Sequence, residues 1–171
     1  MSQLDRTETL LAGVPRRLSE RKVGMGEIEV TRGAFLLRTL LGSCIGLVIY
    51  DLRNQVGGMA HIVLPNSNGQ VSAPGKYADT ALAELLKQII ELGGRERQLS
   101  AKLTGGANMF ATSGPMTIGD QNLAAIELLL KSAGIPVIGR HCGGRSGRRV
   151  AFEVDTGRVT VDVVGASTVE V

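Results

Sequence analysis

The scarcest reactive side chains in this chain are its two cysteines and two histidines, Cys44, Cys142, His61 and His141. Cys44 closes the stretch Thr39-Leu40-Leu41-Gly42-Ser43-Cys44, directly before an apolar run from Ile45 to Tyr50. His61 lies in the next apolar run, Val56 to Leu64, seventeen residues after the cysteine. With a turn at Asp51 to Gln55, a hairpin places residue 44 opposite residue 62, give or take one, which brings His61 into range of Cys44. Neighbours across two strands on one face lie about 4.5–5.5 Å apart at Cβ. A thiol attacks as thiolate, and a nearby imidazole can take its proton. The two residues are therefore a candidate nucleophile and base. The plainer reading also stands: a lone cysteine often packs as a small hydrophobe, and a lone histidine in an apolar strand can be a hydrogen-bonded core residue.

His141 and Cys142 are adjacent, so an extended chain points them to opposite faces and they make a poor dyad. Nothing in the Cys and His spacing favours a metal site, so neither metal nor cofactor is expected. Gly105-Gly106 and the stretch Gly143 to Arg149 match neither a P-loop nor a dinucleotide fingerprint. They read as tight turns and a solvated basic loop, for which an acidic partner helix suits better than a phosphate.

The elements that position these residues follow from pattern and composition. A chain of 171 residues favours one domain, and 43% hydrophobic with 20% charged residues is globular. Aromatics make up 3%, so Leu, Ile, Val, Ala and Met must build the core, and the stacking platforms of single-stranded nucleic-acid binding are missing. The net charge is +3, which suits an acidic partner without specifying one. Two cysteines make no disulfide framework. Leu10 to Val14 is too short for a secretory core and runs into Pro15-Arg16-Arg17. No apolar run approaches the ~20 residues that span a bilayer. The expectation is a cytoplasmic protein with reduced thiols, no membrane insertion and no nucleic-acid partner.

Residues 1–22 mix charges around a weak apolar patch and read as a flexible arm, with a single domain over 23–171. Glu27–Val30 alternates as a strand, and a second strand starts at Ala34 and leads to Cys44. Ile45–Tyr50 is apolar throughout and should be covered on both faces. After the return strand and a loop through Lys76, Ala81, Leu85 and Ile89 with Leu82, Leu86 and Ile90 predict a helix that Gly93-Gly94 stops. Ala101–Leu103 is a short strand. Asn122 or Asp120 can cap a second helix that Gly134 and Pro136 end. Ile135–Ile138 is a strand, His141–Arg149 a basic loop, and Val150–Val163 a hairpin. The order predicts an α+β fold, a mixed α/β sandwich.

Several motifs then appear in a fixed order: Leu41-Gly42-Ser43-Cys44, Ala60-His61-Ile62-Val63-Leu64-Pro65, Lys76-Tyr77-Ala78-Asp79, Gly105-Gly106-Ala107-Asn108-Met109-Phe110, Ile118-Gly119 with Asn122, Gly143-Gly144 and Thr156-Gly157. The series, over about residues 24–163, resembles the chemoreceptor glutamine deamidase family, CheD. The resemblance implies a cysteine-dependent amidase that converts glutamine side chains of methyl-accepting chemotaxis receptors to glutamate, with Cys44 as nucleophile and His61 as base. It also implies packed β-sheets flanked by two main helices, similar to toxin-type glutamine deamidases, and a CheC-type chemotaxis phosphatase as a further partner. Ser43 beside the nucleophile and the loop cations Arg145, Arg148 and Arg149 become candidate substrate contacts. The family's third catalytic residue is a threonine six positions ahead of the cysteine, where this chain has Arg38. Thr39 stands five ahead and carries the role here, although in an unbroken strand it would face away from Cys44; a kink at Gly42-Ser43 could restore the face, or a backbone carbonyl could orient His61 instead. Other functions compatible with the residues are a non-catalytic regulator docking on the phosphatase or receptor, and a thiol hydrolase acting on receptor methyl esters.

Overall fold

Burying both faces of one apolar strand requires a layer on each side, and the computed structural model, which describes residues 15–110 and 114–171, provides them. The strand is β4 (Ile45–Asp51), every residue of which is buried. It lies at the centre of a sheet whose order runs β2 (Ile28–Arg32), β5 (Val56–Ile62), β4, β6 (Leu99–Gly105), β7 (Val137–Cys142). Ile45, Leu47 and Ile49 face two helices, α1 (Ala78–Glu91) and α2 (Ile118–Ser132). Val48 and Tyr50 face a second sheet, ordered β1 (Ser19–Lys22), β3 (Phe35–Leu41), β8 (Arg148–Glu153), β9 (Arg158–Val163), β10 (Val169–Glu170). The protein is thus α+β in three layers: helices, central sheet, outer sheet.

Several boundaries differ from the sequence reading for local reasons. Ser19–Lys22, within the stretch expected as an arm, forms an edge strand parallel to Phe35–Arg38 of β3; residues 1–14 lie outside the described residues. The cap of α2 is Thr117, whose hydroxyl accepts from the Asp120 N–H at 3.2 Å while the Asp120 carboxylate accepts from the Thr117 N–H at 3.1 Å. This reciprocal pair satisfies two of the helix's free donors. Asp120 is therefore the third residue of the helix, and Asn122 is fully buried within it. β7 runs on to Cys142 and β8 begins at Arg148, which narrows the basic loop to residues 143–147.

One buried cation ties the sheets together. Lys102 of β6 sits beside Val48 on the face between the sheets, and its Nζ donates to the Gly157 carbonyl at 2.7 Å in the β8–β9 turn. Burial holds its pKa below the ordinary lysine value. Lys102→Ala leaves that carbonyl without its donor and removes the stem's packing. The unfolding free energy should fall by about 1–3 kcal/mol, measured from urea unfolding; an unchanged midpoint would mean that apolar packing alone joins the sheets.

Candidate active site

The register of the central sheet brings Cys44 and His61 to one face. Gly46 of β4 pairs with His61 of β5, and Ile45 with Ile62. One step further along the same register, Cys44 falls opposite Val63, on the same face as His61 and diagonal to it. That face looks into the layer between the sheets, where Cys44 is 9% and His61 3% exposed. Diagonal neighbours remain within reach of a long polar side chain.

The turn that presents Cys44 is fastened at both ends. The Gly106 N–H donates to the Cys44 carbonyl at 2.8 Å, and the Ala107 N–H to the Gly42 carbonyl at 2.9 Å. Gly105 makes this approach possible: at φ 98° it adopts a conformation that favours glycine, and a Cβ there would strike the Cys44 carbonyl. The two glycines thus serve as a close backbone approach, in keeping with their reading as tight turns.

Thr39 comes to His61 from the other sheet. Its Oγ1 lies 2.7 Å from the Val23 carbonyl and 2.9 Å from His61 Nδ1. A carbonyl only accepts, so the single hydroxyl proton goes to Val23. The threonine oxygen is then the acceptor for Nδ1–H, and Nε2 keeps the ring's lone pair. That tautomer is the one a general base requires. The expectation that Thr39 faces away assumed an unbroken strand. Instead, Gly42-Ser43-Cys44 carries the chain from β3 in the outer sheet to β4 in the central sheet, so side-chain parity does not run across it.

Burial governs both reactive groups. It lowers the pKa of His61, against smaller opposing pulls from the Val23 carbonyl and the Glu27 carboxylate. It raises the pKa of the Cys44 thiol, against the backbone N–H of the same residue. Both therefore rest neutral near pH 7, and a thiolate has to be made at the moment of attack. On the His61 side opens a cavity of about 500 Å³, with Thr39 and His61 in its wall among Val23, Met25 and Leu40, and Lys22 and Arg149 also lining it; Cys44 does not line it.

The other expected residues are divided. Ser43 is half-buried beside Cys44. Arg145 and Arg149 are exposed, but Arg148 is 3% exposed. Its guanidinium donates to the His141 carbonyl at 2.6 Å, to His141 Nδ1 at 2.8 Å and to the Gly143 carbonyl. Arg148 is thus occupied in bracing the loop, which leaves Arg145 and Arg149 as the exposed cations of the three. Cys142 packs against the helix-side core, away from His61. Among the described residues no group of three or more His, Cys, Asp or Glu is placed to hold a metal. The sequence reading missed the internal role of Asn122, whose amide donates to the Val63 carbonyl at 2.9 Å and the Ser43 carbonyl at 3.4 Å. Its signal was a polar residue on the row Asn122, Ile126, Leu130, which is buried throughout.

Known proteins share this chain's pattern. The family model for CheD chemotactic sensory transduction matches residues 63–163, beginning two residues past His61. A probable chemoreceptor glutamine deamidase CheD from Methanococcus vannielii is 44% identical over 142 residues, covering 82% of this chain and 92% of that protein. The chemoreceptor glutamine deamidase CheD of Thermotoga maritima is 39% identical over 147 residues, covering 85% of this chain and 93% of that one. Among solved structures, Neisseria meningitidis protein NMB0706 overlaps with a TM-score of 0.48 at 11% identity, covering 83% of this chain and 68% of its own.

The hydroxyl bridge can be tested without any substrate. Thr39→Val keeps the side chain's shape and removes both of its bonds. The rate of Cys44 alkylation by iodoacetamide at pH 7 should fall about a hundredfold, the low end of what general-base assistance supplies. An unchanged rate would mean that Thr39 does not set the tautomer. In the intact protein the His61 ring should titrate by NMR below its ordinary 6.5. Since the folded chain disfavours the charged ring, the stability this confers is present above 6.5 and lost as the pH falls through the folded-state value.

Proposed function

This chain belongs to the CheD family, and from that premise we propose that it is a chemoreceptor glutamine deamidase with Cys44 as nucleophile, His61 as base and Thr39 as the residue that orients the base. The observation that carries the reading is the chain of contacts Val23 carbonyl, Thr39 hydroxyl, His61 Nδ1, on the face that Cys44 shares. A core histidine needs only a hydrogen-bond partner, whereas a base for Cys44 needs a fixed tautomer on the cysteine's own face, and Thr39 and the β4–β5 register supply these.

In this mechanism His61 Nε2 takes the thiol proton as Sγ attacks the carboxamide carbon of a receptor glutamine. The tetrahedral oxyanion needs preorganised donors. The Cys44 N–H, which already draws its own thiol's pKa down against the larger effect of burial, is the candidate. Collapse breaks the C–N bond, and the imidazolium returns its proton to the departing nitrogen, which leaves as ammonia. His61 then takes a proton from water, the hydroxide carbon bond forms, and the thioester opens to glutamate and free Cys44. Each turnover replaces a neutral carboxamide with a carboxylate.

The receptor substrate is a methyl-accepting chemotaxis protein met in the cytoplasm, docked through Arg145 and Arg149, with a CheC-type phosphatase as a second partner. No described helix is long and apolar enough to cross a membrane. Thr39 at 2.9 Å from Nδ1 counts against the non-catalytic reading, since a docking surface has no use for an oriented imidazole. Action on receptor methyl esters would use the same thiol and is separated by product.

A receptor cytoplasmic fragment incubated with the protein and analysed by peptide mass spectrometry should show glutamine converted to glutamate at discrete sites. Cys44→Ala should show none while still binding the fragment. Conversion that survives the substitution, or its absence with both proteins across several receptors, would overturn the proposal. Loss of methyl esters in place of carboxamides would identify an esterase.

A further inference from the structure

The side chain of Asn122 touches the backbone beside each member of the reacting pair. It is 0% exposed, on the face of α2 that packs against the central sheet. Its Nδ2 lies 2.9 Å from the Val63 carbonyl and 3.4 Å from the Ser43 carbonyl. Carbonyls only accept, so the nitrogen end of the amide must face them, and its two protons go one to each. Ser43 immediately precedes Cys44, and Val63 lies two residues past His61, at the position that the β4–β5 register sets opposite Cys44. One amide therefore joins the turn that carries the thiol to the end of the strand that carries the imidazole.

The orientation has a cost. With Nδ2 turned to the two carbonyls, Oδ1 is buried without a partner among the described residues. A buried acceptor without a donor is destabilising, and such groups in folded proteins are few. A leucine on this row would pack against the same core without that penalty. The amide is kept for what its two donors hold.

We propose that Asn122 is a positioning residue: by clasping the Ser43 and Val63 carbonyls it fixes the separation of the Cys44 thiol from the His61 imidazole. The clasp acts from the helix layer, while Thr39 acts on the ring from the outer sheet, so the pair is located from both sides of the central sheet. The inference rests on the reading of Cys44 and His61 as a reacting pair.

The test uses thiol chemistry, so it does not depend on which substrate the protein takes. In a Cys142→Ser background, where Cys44 is the only thiol, alkylation by iodoacetamide is followed against pH for the parent, Asn122→Asp, Asn122→Ala and His61→Ala, together with thermal melts. Asn122→Asp keeps the side chain's shape and replaces two donors with a carboxylate that repels both carbonyls. Its rate at pH 7 should fall about tenfold or more towards that of His61→Ala. Relative to the parent it should recover as the pH is lowered, because the protonated acid regains one donor. Asn122→Ala should show the same fall without recovery. If either variant melts lower yet alkylates with the parent's rate and profile, Asn122 merely braces the helix and the proposal is overturned. Should Asn122→Ala not fold, the isosteric Asn122→Asp decides alone. If His61→Ala alkylates as fast as the parent, the pair itself fails, which is a different result from failure of the clasp.

Discussion

A hydroxyl has one proton to give, and where Thr39 gives it determines what His61 can do. The Val23 carbonyl, 2.7 Å away, takes that proton, and the threonine oxygen is left to receive the one on Nδ1. This works only because Val23, Thr39 and His61 come from three separate stretches brought together in the buried layer between the sheets. In water the same hydroxyl would rotate freely and the imidazole would exchange tautomers. Where these side chains are buried, solvent competes little, and a polar group that failed to find its partner would be left unpaired at appreciable cost. The outer sheet therefore acts as a template for a proton position as well as a cover for the core.

The same burial acts on the thiol and the imidazole in opposite senses. Desolvation disfavours charge, so the thiol is harder to ionise and the imidazole harder to protonate. An ion pair at rest would need stabilising groups around it, and burial works against both of its members. The arrangement suits a base that accepts the thiol proton as the bond to carbon forms. It also limits stray oxidation, since the resting sulfur has little thiolate character. The glycines at 105 and 106 contribute by letting backbone close over Cys44, so that the thiol's position is set by main-chain bonds.

Much of this was legible in the sequence. The uniformly apolar Ile45–Tyr50 required cover on both faces, and the layered fold supplies it. The turn at 51–55 gave the hairpin register to within one residue, which brought His61 into range of Cys44 but left its face open, since a slip of one residue reverses it; the pairing of Gly46 with His61 sets that face. What could not be read were the contacts between layers. Arg148 looks like a loop cation because it lies among glycines and arginines, yet β8 begins there and turns its guanidinium onto the carbonyls of its own loop. Asn122 looks like a cap because asparagine favours helix starts. Its role depends on two carbonyls 79 and 59 residues away, and local pattern has no access to such partners.

The offset between Thr39 and Cys44 shows how far a spacing argument can be trusted. Within one strand, a shift of one residue moves a side chain to the opposite face, and five residues in place of six would disqualify the threonine. That rule holds inside β3, where Leu37, Thr39 and Leu41 are buried while Arg38 and Leu40 are exposed. The pairing of Thr39 with Val150 of β8 fixes this alternation. Beyond Leu41 the chain changes sheets, and the face of Cys44 is set afresh by the pairing of β4 with β5. The two residues are therefore held by two independent registers, joined through Gly42-Ser43-Cys44. Their sequence separation measures the length of that connection, while their spatial relation is fixed by how the sheets pack. A threonine moved along the connection's outer-sheet side can keep its partner provided it stays on the inward face of β3, and Thr39 does.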